Sequence, residues 1–152
     1  MKNLLNIIIT ASIKAGEEIL KIYNTEFAVE YKEDESPLTM ADKNANDVIM
    51  SFLTKTGIPV LSEEGRSISY EERKGWDELW IVDPLDGTKE FVNKNDEFTV
   101  NLALIKKNKP IMGVVYAPVL DELYFGKENL GAFKLQKASE WLKKKADFIQ
   151  IS

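Results

Sequence analysis

The stretch whose residue types and spacing could carry chemistry is Asp83-Pro84-Leu85-Asp86-Gly87-Thr88. Two carboxylates stand three positions apart, directly after the apolar run Leu79-Trp80-Ile81-Val82. Pro84 fixes one φ between them, and Gly87 lets the backbone turn sharply and approach a ligand closely. Two such carboxylates, with a backbone carbonyl between them, could hold a hard divalent cation such as Mg²⁺ through oxygen alone. The N–H groups of Gly87, Thr88 and Lys89 could cradle a phosphate if the chain enters a helix there. Carboxylates, a metal and an anion cradle together describe metal-assisted phosphoryl chemistry. The same letters also spell a plain turn, because Asp-Pro and Asp-Gly are common turn dipeptides, and at this point both readings stand. An EF-hand loop fits poorly: counting from Asp83 puts Leu85 and Gly87 where ligands belong.

Glu63-Glu64 is the second acidic candidate, following the short apolar segment Ile58-Pro59-Val60-Leu61. If that segment and Leu79–Val82 are neighbouring strands, Glu63 and Asp83 meet at one sheet edge. Glu64 reads as a solvated turn residue. Asp42 falls near the expected start of a helix, where a favourable charge on the helix N-terminus would explain it without chemistry.

Composition narrows the chemistry further. The chain has 152 residues, one domain by length, and is 44% hydrophobic, enough apolar material for a core. It contains 0 Cys and 0 His. Disulfides, thiol catalysis, Cys- or His-ligated zinc and the Ser-His-Asp triad are therefore excluded. Carboxylates, hydroxyls, Lys, Tyr and oxygen-ligated metals remain. The net charge of −5 makes a nucleic-acid polymer a poor partner. Lys143-Lys144-Lys145 reads as a solvated end rather than a binding patch.

These residues need elements to hold them. Leu4, Leu5, Ile8, Ala11, Ala15, Ile19 and Ile22 recur at helical spacing and predict an amphipathic first helix rather than a secretory leader. Phe27, Val29 and Tyr31 alternate and predict a strand over 26–32. Thr39 is the expected N-cap of a second helix from about Met40 to Thr56, with Gly57 as its stop. Arg66 to Glu78 reads as a surface loop. Alternating runs at Phe98–Ile105, Ile111–Ala117, Glu122–Phe125 and Ala132–Leu135, separated by turn residues, predict an antiparallel meander. Lys137–Asp147 reads as helical or irregular. The expected fold class is α+β, two helices packed on one face of a mainly antiparallel sheet. No apolar run approaches the ~20 residues of a membrane span. A cytoplasmic location is the expectation, with peripheral membrane association left open.

Taken in order, TMADKNAND, LSEEG, WIVDPLDGTKEFVN and FTVNLALIKKNKPIMGVVYAPVLDELYFG resemble the lithium-sensitive, Mg²⁺-dependent phosphatases of the inositol monophosphatase superfamily. DGTKEF, rather than DGTTNF, is similar to the CysQ-type 3'(2'),5'-bisphosphate nucleotidases. The resemblance implies a role at each matching position. Glu63, Asp83, Asp86 and the carbonyl of Leu85 would bind Mg²⁺, two or more ions in an intact enzyme. Thr88 and Glu63 would orient and deprotonate the attacking water, and Asp42 would hydrogen-bond near Thr88 and lie beside the metals. Asp86, Gly87, Thr88 and Lys89 would hold the departing phosphate. The implied substrate is adenosine 3',5'-bisphosphate, with its sulfated form a further candidate, in sulfur assimilation or nucleotide recycling. An inositol monophosphatase activity and a non-catalytic metal- and anion-binding domain are the alternatives.

One departure matters. The superfamily carries a second, C-terminal domain with a Trp-Asp-x-Ala-Ala motif, and nothing in residues 1–152 matches it; the only late Trp, Trp141, sits in Glu-Trp-Leu. The chain therefore reads as the N-terminal metal- and phosphate-binding domain of a two-domain phosphatase. Weaker Mg²⁺ binding, reduced or lost turnover, and self-association through an apolar face where the second domain would dock are expected.

Overall fold

The computed structural model describes residues 3–25, 36–62 and 69–151. The strand expected over 26–32 and the Glu63-Glu64 pair lie outside these residues.

Helix α1 spans Leu4–Tyr23 and is capped by Asn3, whose side chain accepts from the Asn6 N–H at 3.2 Å. Its apolar spacing becomes a broad buried stripe that includes Ile8, Ile13, Ala15 and Ile19. Helix α2 spans Pro37–Leu53, then tightens into a 3-10 turn at Thr54–Thr56 that ends on left-handed Gly57. The cap is Ser36, not Thr39: the Ser36 hydroxyl accepts from the Thr39 N–H at 3.1 Å. The physical signal is Pro37, which sits at the first helical position because its missing N–H is no loss there.

Strands β1 (Val60–Ser62), β2 (Glu78–Asp86), β3 (Thr99–Lys106), β4 (Lys109–Ala117), β5 (Glu122–Lys127) and β6 (Gly131–Gln136) form one sheet in chain order. β1 runs parallel to β2, and every later pair is antiparallel. The expected α+β meander is present. The stretch read as a loop from Arg66 to Glu78 instead contains a one-turn helix, α3 (Tyr70–Arg73), capped by Ser69, and ends with β2 already begun at Glu78. Short α4 (Thr88–Val92) follows β2, and α5 (Ala138–Ile151) closes the described chain.

Both long helices pack on one face of the sheet, α1 against β3, β4 and β5 and α2 against β2. The inner face is a continuous core of Trp80, Val82, Leu102, Leu104, Met112, Val114, Tyr116 and Leu123. Gly16 brings α1 close: a methyl group there would lie 2.5 Å from the Tyr116 ring. That ring is itself fixed, since the Tyr116 hydroxyl donates to Asp121 at 2.7 Å. The same Asp121 carboxylate accepts from the Ser139 N–H and hydroxyl, pinning the start of α5.

The outer face is different. Ile81, Ala103, Gly113, Gly126 and Ala132 stand opposite one another across five strands, β2 to β6. Four of them are Gly or Ala, so they floor a shallow trench. Val115 and Tyr124, in the next row, are 41% and 44% exposed.

Candidate functional site

Residues three apart on a regular strand face opposite ways, because side chains alternate with period two. Asp83 and Asp86 do not. Asp83 stands opposite Asn101, and Asp86 opposite Thr99, so three steps on β2 match two on β3. One residue is extra, which makes a β-bulge. The burial pattern shows where: Pro84 and Leu85 are buried in succession, flanked by half-buried Asp83 and exposed Asp86. The bulge thus returns Asp86 to the outer face beside Asp83, while the Leu85 side chain enters the core at 1% exposure. Pro84 suits this position, since a bulge leaves a backbone N–H unpaired and proline has none. Asp83–Asp86 is therefore not the plain turn its dipeptides suggest; it is the last, bulged part of β2.

Gly87 then makes the turn into α4 with φ +91. A side chain there would meet Glu97 O and Phe98 Cα, each at 3.2 Å. Both backbone conformation and crowding require glycine. The first α4 hydrogen bond runs from the Phe91 N–H to Gly87 O at 2.9 Å. The chain does enter a helix at Thr88, and Thr88 and Lys89 are exposed on its first turn.

An aromatic platform holds α4 from behind. Phe91 packs on Phe98 and Tyr23 with ring centroids 5.3 Å apart in each pair, and Tyr23 meets Phe98 at 4.7 Å. The Tyr23 hydroxyl donates to Asp96 at 2.5 Å and accepts from the Asp96 N–H. Burial, reinforced by the Asp96 hydrogen bond, pushes the Tyr23 hydroxyl above its ordinary pKa. Lys94 donates to the carbonyls of Tyr23 and Thr25, and its ammonium lies 4.6 Å from the Tyr23 ring centre. The end of α1 and the loop after α4 are thus clasped together.

Asp42 is half-buried in the second turn of α2, which begins at Pro37. That weakens the charge–dipole explanation, which acts within the first turn. Helix α2 packs on β2 and α4, the two elements that bear Asp83, Asp86 and Thr88. One turn further on, Asn46 accepts from the Ser62 hydroxyl at 2.6 Å and ties α2 to the end of β1. The last β1–β2 register pair is Ser62 with Val82, each one position before Glu63 and Asp83 in sequence.

Two further polar residues reach Asp86 and carried no motif. The Asn101 amide donates to Asp86 Oδ2 at 3.0 Å, and Thr99 donates to Asn101 Oδ1 at 2.9 Å. In the sequence they are only the polar positions of an alternating strand; their register against β2 is what places them.

The described donors are all oxygen: two carboxylates on one face with a backbone carbonyl between them. That set suits a hard divalent cation. Among the described residues no three acidic groups gather.

Residues 1–147 match the model of the inositol monophosphatase family. The chain is 41% identical over 137 residues to the 3'(2'),5'-bisphosphate nucleotidase CysQ of Haemophilus influenzae, covering 89% of this chain and 51% of that protein. It is 51% identical over 119 residues to the CysQ of Salmonella typhimurium, covering 76% of this chain and 48% of that protein. The crystal structure of CysQ from Bacteroides thetaiotaomicron superposes with a TM-score of 0.80 at 52% identity, over 86% of this chain and 49% of that one. The chain spans about half the length of the curated relatives it matches. Family model, sequence relatives and backbone likeness each extend over most of the chain, and the chain belongs to the inositol monophosphatase family.

Proposed function

We propose that this chain is the metal- and phosphate-binding domain of a phosphatase that removes the 3'-phosphate of adenosine 3',5'-bisphosphate in the cytoplasm, releasing adenosine 5'-phosphate and inorganic phosphate. The observation that carries this is the bulge that brings Asp83 and Asp86 to one face, followed at once by Gly87 and Thr88. Relatives named 3'(2'),5'-bisphosphate nucleotidase, at 41% and 51% identity, support the substrate class.

Asp83, Asp86 and the Leu85 carbonyl would hold Mg²⁺, together with Glu63. A bound divalent cation would supply charge neutralisation at the phosphate and a lowered pKa for the attacking water. The chain's own groups do the rest. The Thr88 hydroxyl and Glu63 orient the water and take its proton. Asp42, on the helix packed against α4, supports Thr88. Gly87, Thr88 and Lys89 bind the phosphate oxygens, the Lys89 ammonium adding charge. The apolar outer face, with Ile81, Val115 and Tyr124 exposed, is proposed as a surface through which copies of this chain self-associate.

The test is phosphate release by the 152-residue chain from adenosine 3',5'-bisphosphate and, separately, from inositol 1-phosphate, with Mg²⁺ and with or without lithium. Release that requires Mg²⁺, is inhibited by lithium, favours the nucleotide and is lost in Asp86→Asn is expected. Preference for inositol phosphate would overturn the substrate. Mg²⁺ binding without any release would assign the chain a binding role, with chemistry needing a second domain. A monomer at high concentration in size-exclusion chromatography would overturn the self-association.

A further inference from the structure

We propose that Asn101 is a positioning residue of this site, its side-chain amide holding the Asp86 carboxylate on the outer face beside Asp83. The inference rests on the reading of Asp86 as a cation ligand.

Three observations meet at Asn101. Its backbone stands directly opposite Asp83 in the β2–β3 register. Its amide nitrogen lies 3.0 Å from Asp86 Oδ2. An ionised Asp86 can only accept, so the NH₂ group faces it, and the amide oxygen is left to accept the Thr99 hydroxyl at 2.9 Å. Thr99 is itself the register partner of Asp86. Two residues of β3 therefore answer the two carboxylates that the bulge brings together.

The chemistry of an amide fits the task. Asp86 is exposed, and an exposed carboxylate samples several rotamers that a bound cation would have to suppress. One hydrogen bond to Oδ2 selects a rotamer and leaves the remaining lone pairs of the carboxylate available. A Lys or Arg at position 101 would also fix Asp86, but its positive charge would compete with the cation. An Asp there would add like-charge repulsion and could not donate when ionised. A neutral donor orients the ligand without neutralising it, as the outer-shell partners of metal ligands do elsewhere.

The experiment is Mg²⁺ titration calorimetry on the full chain, with thermal melting of each variant alongside. Asn101→Ala is expected to weaken Mg²⁺ about tenfold, the low end of the roughly 10–100-fold that loss of such a partner costs elsewhere, and Thr99→Val, which acts one step further out, by less than about tenfold. Thr99→Ser, which keeps the hydroxyl, is expected to bind as the parent does. Thr99→Val preserves shape, so it reports on the hydrogen bond even if Asn101→Ala folds poorly. Parent-like affinity in Thr99→Val and Asn101→Ala, with binding lost in Asp86→Asn, would overturn the positioning role and leave the site reading intact. Parent-like affinity in Asp86→Asn, or no Mg²⁺ binding by the parent chain, would overturn both.

Discussion

Trp80 and Ile81 are neighbours on β2 that face opposite ways: Trp80 is fully buried in the core, whereas Ile81 is 43% exposed. That contrast runs across the sheet. On the inner face, large side chains interlock with α1 and α2, and even the indole N–H of Trp80 is satisfied, donating to Thr56 at 3.0 Å. On the outer face, the residues opposite Ile81 are Ala and Gly; Asp83, Asn101 and Asp86 gather at the β2–β3 end, and Lys134 pairs with Glu122 at the β5–β6 edge. The inner face holds the packed core and the outer face carries the candidate site. Because one strand serves both, its bulge must satisfy both at once, and it does so by sending Pro84 and Leu85 inward together.

The sharpest way to break this division is at its centre. Trp80→Ala is expected to cost about 3–5 kcal/mol in urea-denaturation stability, since it empties a fully buried site and removes the indole hydrogen bond to Thr56. A cost below about 1 kcal/mol would mean the inner face is not packed as described. Next comes Gly16→Ala. Alanine gains helix propensity, but its methyl would lie 2.5 Å from a Tyr116 ring tethered to Asp121, so a net loss of about 1–3 kcal/mol is expected from the same measurement.

A smaller effect is read in pH. Burial, with the Asp121 hydrogen bond adding to it, raises the pKa of Tyr116 well above its ordinary value of 10.0. The folded chain therefore keeps that proton when the unfolded chain loses it. Stability is expected to be unaffected by this group below about pH 10 and to fall above it. The fall should be shallower in Tyr116→Phe; an unchanged slope would show that Tyr116 does not carry it. Smallest of all, Ile81→Thr, one residue from Trp80 but on the outer face, is expected to change stability by less than about 0.5 kcal/mol in dilute solution. A loss comparable to that of Trp80→Ala would erase the distinction between the faces.

Much of this division was legible in the sequence. Helical spacing located α1 and α2, and alternation located β3, β4, β5 and β6, because burial on one face imposes those periods directly. Position-specific chemistry was harder. Thr39 looked like a cap because it precedes an apolar stripe, yet Pro37 moved the helix start three residues earlier and left Ser36 to cap it. Asp-Pro and Asp-Gly look the same in a turn and in a bulge, and only the pairing with β3 tells them apart. Asn101 and Thr99 were invisible for a related reason: a polar residue on an alternating strand is expected whether or not it serves a site. The lesson is that face and period can be read along one chain, whereas partnership across strands cannot.

The bulge has a consequence for portability. Asp83–Thr88 looks like a self-contained cassette of six letters, but its facing depends on three residues of β2 being matched by two of β3, and its second carboxylate is held by a side chain of that other strand. Grafted into a strand whose neighbour lacks Thr-x-Asn at the matching height, the cassette would carry its letters without its arrangement. The unit that could be moved between proteins, or inherited intact through rearrangement, is a two-strand ribbon.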